Sequence, residues 1–193
     1  LPQRQSRRWQ HRQRGGQLAM RAALRAASRK AGLVLPQFQT RQTAPRSLVI
    51  LCDISGSMEH YSRVMLHFIH GLTQHQPAVH SFLFGTKLTN ITRQMRQRDV
   101  DAAVQAISTS VADWSGGTLI GSNLHRFNRD WSRRVLTGGA SVILITDGLD
   151  RTPDGDISAL QRLHFEMERL HKSAYNLIWL NPLLRFDGFA PKS

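Results

Sequence analysis

Residues 48–59 read LVILCDISGSME, a run of apolar residues that breaks into a polar turn. The β-branched and aliphatic side chains of Ser47–Cys52 predict a buried strand, because the run is too short for a helix of ordinary length. The strand ends on a carboxylate, Asp53, and two hydroxyls follow at Ser55 and Ser57 with Gly56 between them. Three oxygen-bearing side chains at alternating positions of a tight turn lie on one side of it. They either cap the helix that follows or hold a ligand.

Outward from this stretch, strands alternate with helices. Residues 61–72 predict a helix with Val64, Met65, Phe68, Ile69 and Leu72 on one face. Strands follow at 78–85 and 87–92, helices near 99–109 and 120–135, a strand at 140–148, an amphipathic helix over 156–174 and a last strand at 175–181. This order predicts an α/β, Rossmann-like fold with a mainly parallel central sheet and helices on both faces. Such sheets bind ligands at the carboxyl ends of their strands, where the strand order reverses. Two strands here end in acid, one at Asp53 and one at Asp147.

The charge is unevenly distributed. Residues 1–46 carry eleven Arg and Lys and no Asp or Glu, whereas the remainder is close to neutral within a total of +13. Three segments are expected: a basic N-terminal arm with a short helix over 1–46, the α/β domain over 47–185, and a tail over 186–193. Within the arm, residues 1–16 predict an extended or unordered stretch, 17–31 a helix, and 33–46 a connector with two prolines. No apolar run approaches the roughly 18 residues of a membrane span, and the arginine-rich start does not resemble a secretory signal. The single cysteine, Cys52, is expected in the core and fits a reducing cytoplasm.

Several enzyme classes lack their signatures. There is no G-x-S-x-G elbow for a serine hydrolase and no G-x-x-x-x-G-K-[ST] loop for phosphoryl transfer. Nine histidines are present, but neither H-E-x-x-H nor paired Cys/His spacing occurs. His60, His67 and His70 are expected at the surface or at an interface.

The oxygen-rich stretches form a recognisable set. D-x-S-G-S at 53–57, WSGGTLIGSNL at 114–124 with Thr118 after its glycines, and VILITDG ending on Asp147 and Gly148 together resemble the metal-ion-dependent adhesion site of von Willebrand factor A (VWA) domains. The resemblance fills all five ligand positions, Asp53, Ser55, Ser57, Thr118 and Asp147, and extends over residues 47–181. More narrowly, CDISGSMEHYSR, DWSGGTLIGSNLHRFNRDW, TDGLDR, LIWLNPLL and the preceding RGGQLAMRAALRAA are similar to the bacterial CoxE-like branch. The donor chemistry agrees with this reading, since hard divalent cations take oxygen ligands. Three neutral hydroxyls and two carboxylates suit Mg²⁺, with Mn²⁺ or Ca²⁺ as alternatives. Gly56, Gly116 and Gly117 allow close approach of the backbone, and the N-termini of adjacent helices would favour an anion. Gly117, Asp150 and Arg151 are expected near the partner, with a solvated loop pair the equal alternative for the last two. Asp113 precedes Trp114, which is expected to pack.

The resemblance implies a non-enzymatic adaptor that grips an acidic residue of a client protein through the metal. It also implies work with a MoxR-type AAA+ ATPase in metalloenzyme maturation, carbon monoxide dehydrogenase being the eponymous case. Two rivals stand beside it: a nucleic-acid-associated factor that uses the basic arm, and a metal-dependent hydrolase. Alanine at Asp53 or Asp147 is expected to abolish partner binding with the fold largely intact, because the site is expected at a sheet edge rather than in the core.

Overall fold

The structure is a computed structural model that describes residues 3–29, 35–111, 117–150 and 157–185, and the chain clusters into two units, Leu1–Arg46 and Ser47–Ser193. The first contains strands β1 (Gln3–Arg12) and β2 (Gln17–Leu18), helix α1 (Met20–Arg29) and strand β3 (Phe38–Pro45). The strands form an antiparallel sheet in the order β1-β3-β2, running from Gln3 opposite Pro45 to Arg12 opposite Phe38 with a break in register between Gln5 and Trp9. Gly16 turns the chain after β1 at φ +98°, and a Cβ there would fall 2.7 Å from the Gln39 carbonyl oxygen. The Arg41 guanidinium lies 5.3 Å from the centre of the Trp9 ring.

The expected arm and connector thus supply the two long strands of one sheet. Strand alternation is invisible in β1 because Trp9 is its only apolar residue, so both faces read as polar. The expected helix begins later than 17, since Gln17 and Leu18 are already committed to the sheet.

The second unit contains β4 (Leu48–Asp53), a 3₁₀ turn (Gly56–Met58), α2 (Glu59–His75), β5 (Val79–Phe84), β6 (Leu88–Asn90), α3 (Thr92–Met95), α4 (Val100–Ser110), α5 (Ile120–Asp130), α6 (Ser132–Val135), β7 (Ser141–Ile145), α7 (Ile157–Ser173) and β8 (Asn176–Leu180), closed by a 3₁₀ turn (Pro182–Arg185). The sheet order is β6-β5-β4-β7-β8, parallel except for the edge strand β6. Every residue of the central strand β4 is buried, as expected where helices cover both faces. Strand alternation sends Leu48, Ile50 and Cys52 to one face, against Met58, Leu66, Ile69 and Ile107. It sends Val49 and Leu51 to the other, with Phe82, Leu124, Phe127 and Leu170. Phe82 meets Phe127 and Trp131 edge-on at centroid distances of 5.3 and 5.2 Å. The chain leaves β4 for β5 and β6 on one side and returns to β7 and β8 on the other, so the reversal falls between β4 and β7.

Two expectations are corrected here. The buried stripe of α2 runs through Ser62, Leu66, Ile69 and Thr73, while Val64 and Phe68 are 61% and 44% exposed. The positions i, i+4, i+7 and i+11 carry two hydroxyl residues, which disguised the stripe. Ser62 and Thr73 satisfy their hydroxyls on the carbonyls of Met58 and Ile69. His70, expected at the surface or at an interface, is buried within the chain, and its Nε2 donates to the Gln97 carbonyl at 2.8 Å. Cys52 lies in the core as expected, and burial pushes its thiol pKa far up. No helix among the described residues is long and apolar enough to cross a membrane.

Glu166 is buried on α7 facing α5, where His125 Nδ1 lies 2.6 Å from Oε1 and Asn128 Nδ2 donates to Oε2 at 2.8 Å. Burial alone would raise its pKa, but the bonds from Asn128 and His125, with the charges of His125 and Arg169, hold it below the ordinary glutamate value. A lowered folded-state pKa contributes stability above the unfolded pKa, and that contribution disappears as pH falls through the folded one. Glu166→Gln is therefore expected to lower stability by about 1–2 kcal/mol at pH 7, with the gap closing on acidification toward pH 3. Urea unfolding of both proteins across that range is the check; a gap independent of pH would refute the ionic account.

Candidate metal centre

Asp53 ends the central strand with no exposed surface. Its carboxylate organises the turn: Oδ1 accepts the Ser55 N–H at 2.8 Å and the Thr118 hydroxyl at 3.3 Å, and Oδ2 accepts the Thr146 hydroxyl at 2.8 Å. Ser55 Oγ lies 3.1 Å from Ser57 Oγ. Ser55 and Thr118 are buried, whereas Ser57 is exposed and leaves the cluster open to solvent. The capping alternative does not describe these side chains. Helix α2 begins after Met58 with no side-chain cap bond, and the Asp53 carboxylate turns back on its own loop.

Asp147 follows β7 on the adjacent strand. Its Oδ1 accepts the Leu149 N–H at 2.9 Å, while Oδ2 is buried with no hydrogen-bond partner among the described residues. Thr146 joins the two loops, since its hydroxyl donates to Asp53 and accepts the Gly148 N–H at 3.1 Å. Sequence reasoning passed over Thr146, although it stands inside the quoted T-D-G. Burial pushes the Asp53 pKa above the ordinary carboxylate value despite bonds from Ser55 and Thr146, and the Asp147 charge pushes it further.

The structure therefore gathers Asp53, Ser55, Ser57 and Thr118 and sets Asp147 beside them through Thr146. The Asp53 site lies on the central strand, not at a sheet edge. Asp150 has a defined structural place: its carboxylate accepts the N–H groups of Ile120 at 3.1 Å and Gly121 at 3.5 Å, at the start of α5. That helix N-terminus is thus already met by an anion of the chain itself. Gly117 is partly buried next to Thr118. Asp113, Trp114, Gly116 and Arg151 lie outside the described residues.

The donor set fits a hard divalent cation. All five side chains offer oxygen, and among the described residues no group of three or more His, Cys, Asp or Glu that could hold a metal comes together elsewhere. A buried carboxylate oxygen without a partner, beside a second carboxylate resisting ionisation, is an electrostatic deficit. A cation held there removes both penalties together.

The family described as VWA domain containing CoxE-like protein matches the chain over residues 1–193. Comparison with curated proteins finds no match. Among solved structures, proximal thread matrix protein 1 from the mussel byssus is similar at 16% identity and a TM-score of 0.41, over 72% of this chain and 44% of that one. This chain thus spans less than half the length of the mussel protein. Another structure of the mussel protein, at 16% identity and a TM-score of 0.40 over 72% of this chain and 44% of that one, has a zinc-occupied MIDAS motif. An aerotolerance-related membrane protein from Bacteroides fragilis is similar at 15% identity and a TM-score of 0.43, over 77% of each chain.

Proposed function

The chain belongs to the family of VWA domain containing CoxE-like proteins, and on that premise we propose that it is a non-enzymatic adaptor of the bacterial cytoplasm that grips an acidic residue of a protein partner through a divalent cation. Asp53, Ser55, Ser57, Thr118 and Asp147 would hold the ion, Mg²⁺ by preference and Mn²⁺ or Ca²⁺ as alternatives. The observation that carries this reading is the buried Oδ2 of Asp147, without a hydrogen-bond partner among the described residues, beside the hydroxyl cluster of Asp53. Bound Mg²⁺ would supply an electron-poor position for a carboxylate oxygen of the partner. Asp53 fixes the hydroxyls of Thr118 and Thr146 and the Ser55 amide, and the exposed Ser57 leaves the approach open. Gly117, Asp150 and Arg151 are the residues we propose to meet the partner. The partners proposed are a MoxR-type AAA+ ATPase, which supplies mechanical work, and a metalloenzyme client.

The test is binding of the purified chain to the MoxR-type ATPase of the same organism, in Mg²⁺ and in EDTA. Chelation is expected to weaken binding about 100-fold or more, the scale for removing one partner of a desolvated charge pair. Binding that ignores EDTA would refute the metal grip.

A second reading has its own observation. The first unit carries arginine without acidic residues, and Arg41 stacks on Trp9, a combination suited to nucleic-acid phosphates and bases. It predicts DNA or RNA binding that falls steeply with salt and is indifferent to EDTA.

A further inference from the structure

We propose that Trp179 and Asn181, at the carboxyl end of β8, are positioning residues that hold the Asp147 loop in its metal-binding form; this rests on the metal reading of the site. Three consecutive residues of that loop are tied to one short segment. The Trp179 indole N–H donates to the Thr146 carbonyl at 2.9 Å. The Asn181 amide donates to the Asp147 carbonyl at 3.0 Å, and its own carbonyl oxygen accepts the Leu183 N–H at 2.9 Å. The Thr146 N–H donates to the Leu180 carbonyl at 3.2 Å. Gly148 completes the arrangement, since it sits at φ +82° and a Cβ there would lie 3.1 Å from the edge of the Trp179 ring.

These contacts do what the Asp147 side chain cannot do for itself. Its Oδ1 is held only by the N–H of Leu149 in the same loop, and Oδ2 has no hydrogen-bond partner among the described residues, so the direction of the carboxylate depends on the backbone of that loop. Trp179 grips the peptide before Asp147 and Asn181 the peptide after it, while Thr146 links the same turn to Asp53. Core packing does not account for the indole: Trp179 is 54% exposed, so much of its apolar surface remains in water. Its one donor is spent on the Thr146 carbonyl. Groups that orient a ligating carboxylate or its loop typically set metal affinity within a factor of 10–100.

The experiment uses the full chain, with Mn²⁺ binding followed by the loss of the free-ion electron paramagnetic resonance signal and Mg²⁺ binding by calorimetry. The variants are Trp179→Phe, which keeps a ring over Gly148 but removes the N–H, and Asn181→Leu, which removes the amide at similar size. Asp147→Ala is the reference without the ligand. Each positioning variant is expected to weaken both metals about 10- to 100-fold, with the metal-free unfolding transition still cooperative and with faster amide exchange at Gly148 and Leu149. A structural role alone would not couple exchange in this loop to metal affinity. Wild-type affinity within two-fold in both variants overturns the inference, provided the wild type binds. A wild type that binds neither metal overturns the metal reading instead. In that case unchanged exchange at Gly148 and Leu149 overturns the loop-holding role as well.

Discussion

Asp53→Ala is expected to lose Mg²⁺ binding and also to lower the stability of the metal-free protein by about 2–4 kcal/mol. The second effect comes from the hydrogen bonds on the carboxylate. The Ser55 amide and the Thr118 and Thr146 hydroxyls all donate to Asp53, which itself has no exposed surface. Each buried donor left without an acceptor costs about 1–3 kcal/mol. Removal of a carboxylate whose ionisation is opposed by burial and by Asp147 offsets part of this. Asp53→Asn separates the two effects. Its carbonyl oxygen can keep the Ser55 and Thr118 bonds, and the Thr146 hydroxyl can turn to accept from the new amide. Its stability in EDTA is expected within about 1 kcal/mol of wild type, while Mg²⁺ affinity still collapses for want of charge. Urea unfolding in EDTA, with calorimetric Mg²⁺ titration, measures both quantities. An Asp53→Ala protein as stable as wild type would show that the carboxylate does not organise the turn.

The strand around residues 48–53 was legible because its run of apolar side chains matches a strand covered on both faces. The carboxylates at Asp53 and Asp147 were legible because each stands at the carboxyl end of a strand of a parallel sheet, where ligands bind, and each stands in an oxygen-rich motif, D-x-S-G-S or T-D-G. What decides the chemistry was less visible. Thr146 connects the two loops through a hydroxyl whose partner lies 93 residues away, a contact that no local pattern encodes. The ending LIWLNPLL reads as an apolar strand and a turn, yet Trp179 and Asn181 use their polar atoms on the backbone of another loop. Asp150, expected near the partner or as half of a solvated pair, meets the first amides of α5. In the first unit, the pairing of β1 with β3 was hidden by polarity on both faces of β1, so period-two alternation had no contrast to show. Local propensity found most elements of the second unit, while the site depends on polar contacts between them.

Asp147→Ala is expected to abolish Mg²⁺ binding without the loss of stability expected at Asp53. The two acidic residues differ in what depends on them. Among the described residues the Asp147 carboxylate accepts one hydrogen bond, from the Leu149 amide near the surface, and its other oxygen is buried without a partner. Loss of the Leu149 bond costs about 1 kcal/mol, and removal of a buried unsatisfied oxygen returns about 1–3 kcal/mol. In EDTA the variant is therefore expected to melt at the wild-type temperature or above it. With metal the order reverses. At a Mg²⁺ concentration 100 times its dissociation constant the wild type gains about 2.7 kcal/mol, which raises the melting temperature by about 5–10 °C for a domain of this size. The variant gains nothing, so the two melting curves are expected to cross as Mg²⁺ is added. Differential scanning calorimetry in EDTA and across a Mg²⁺ series reads this directly. A variant that loses stability in EDTA would mean that Asp147 has a structural partner and that its free oxygen is not kept for a cation. A wild type that fails to rise with Mg²⁺, Mn²⁺ or Ca²⁺ would remove the basis for a metal grip altogether. The crossing itself is hard to obtain any other way, because it requires a side chain that is a burden to the empty site and indispensable to the filled one.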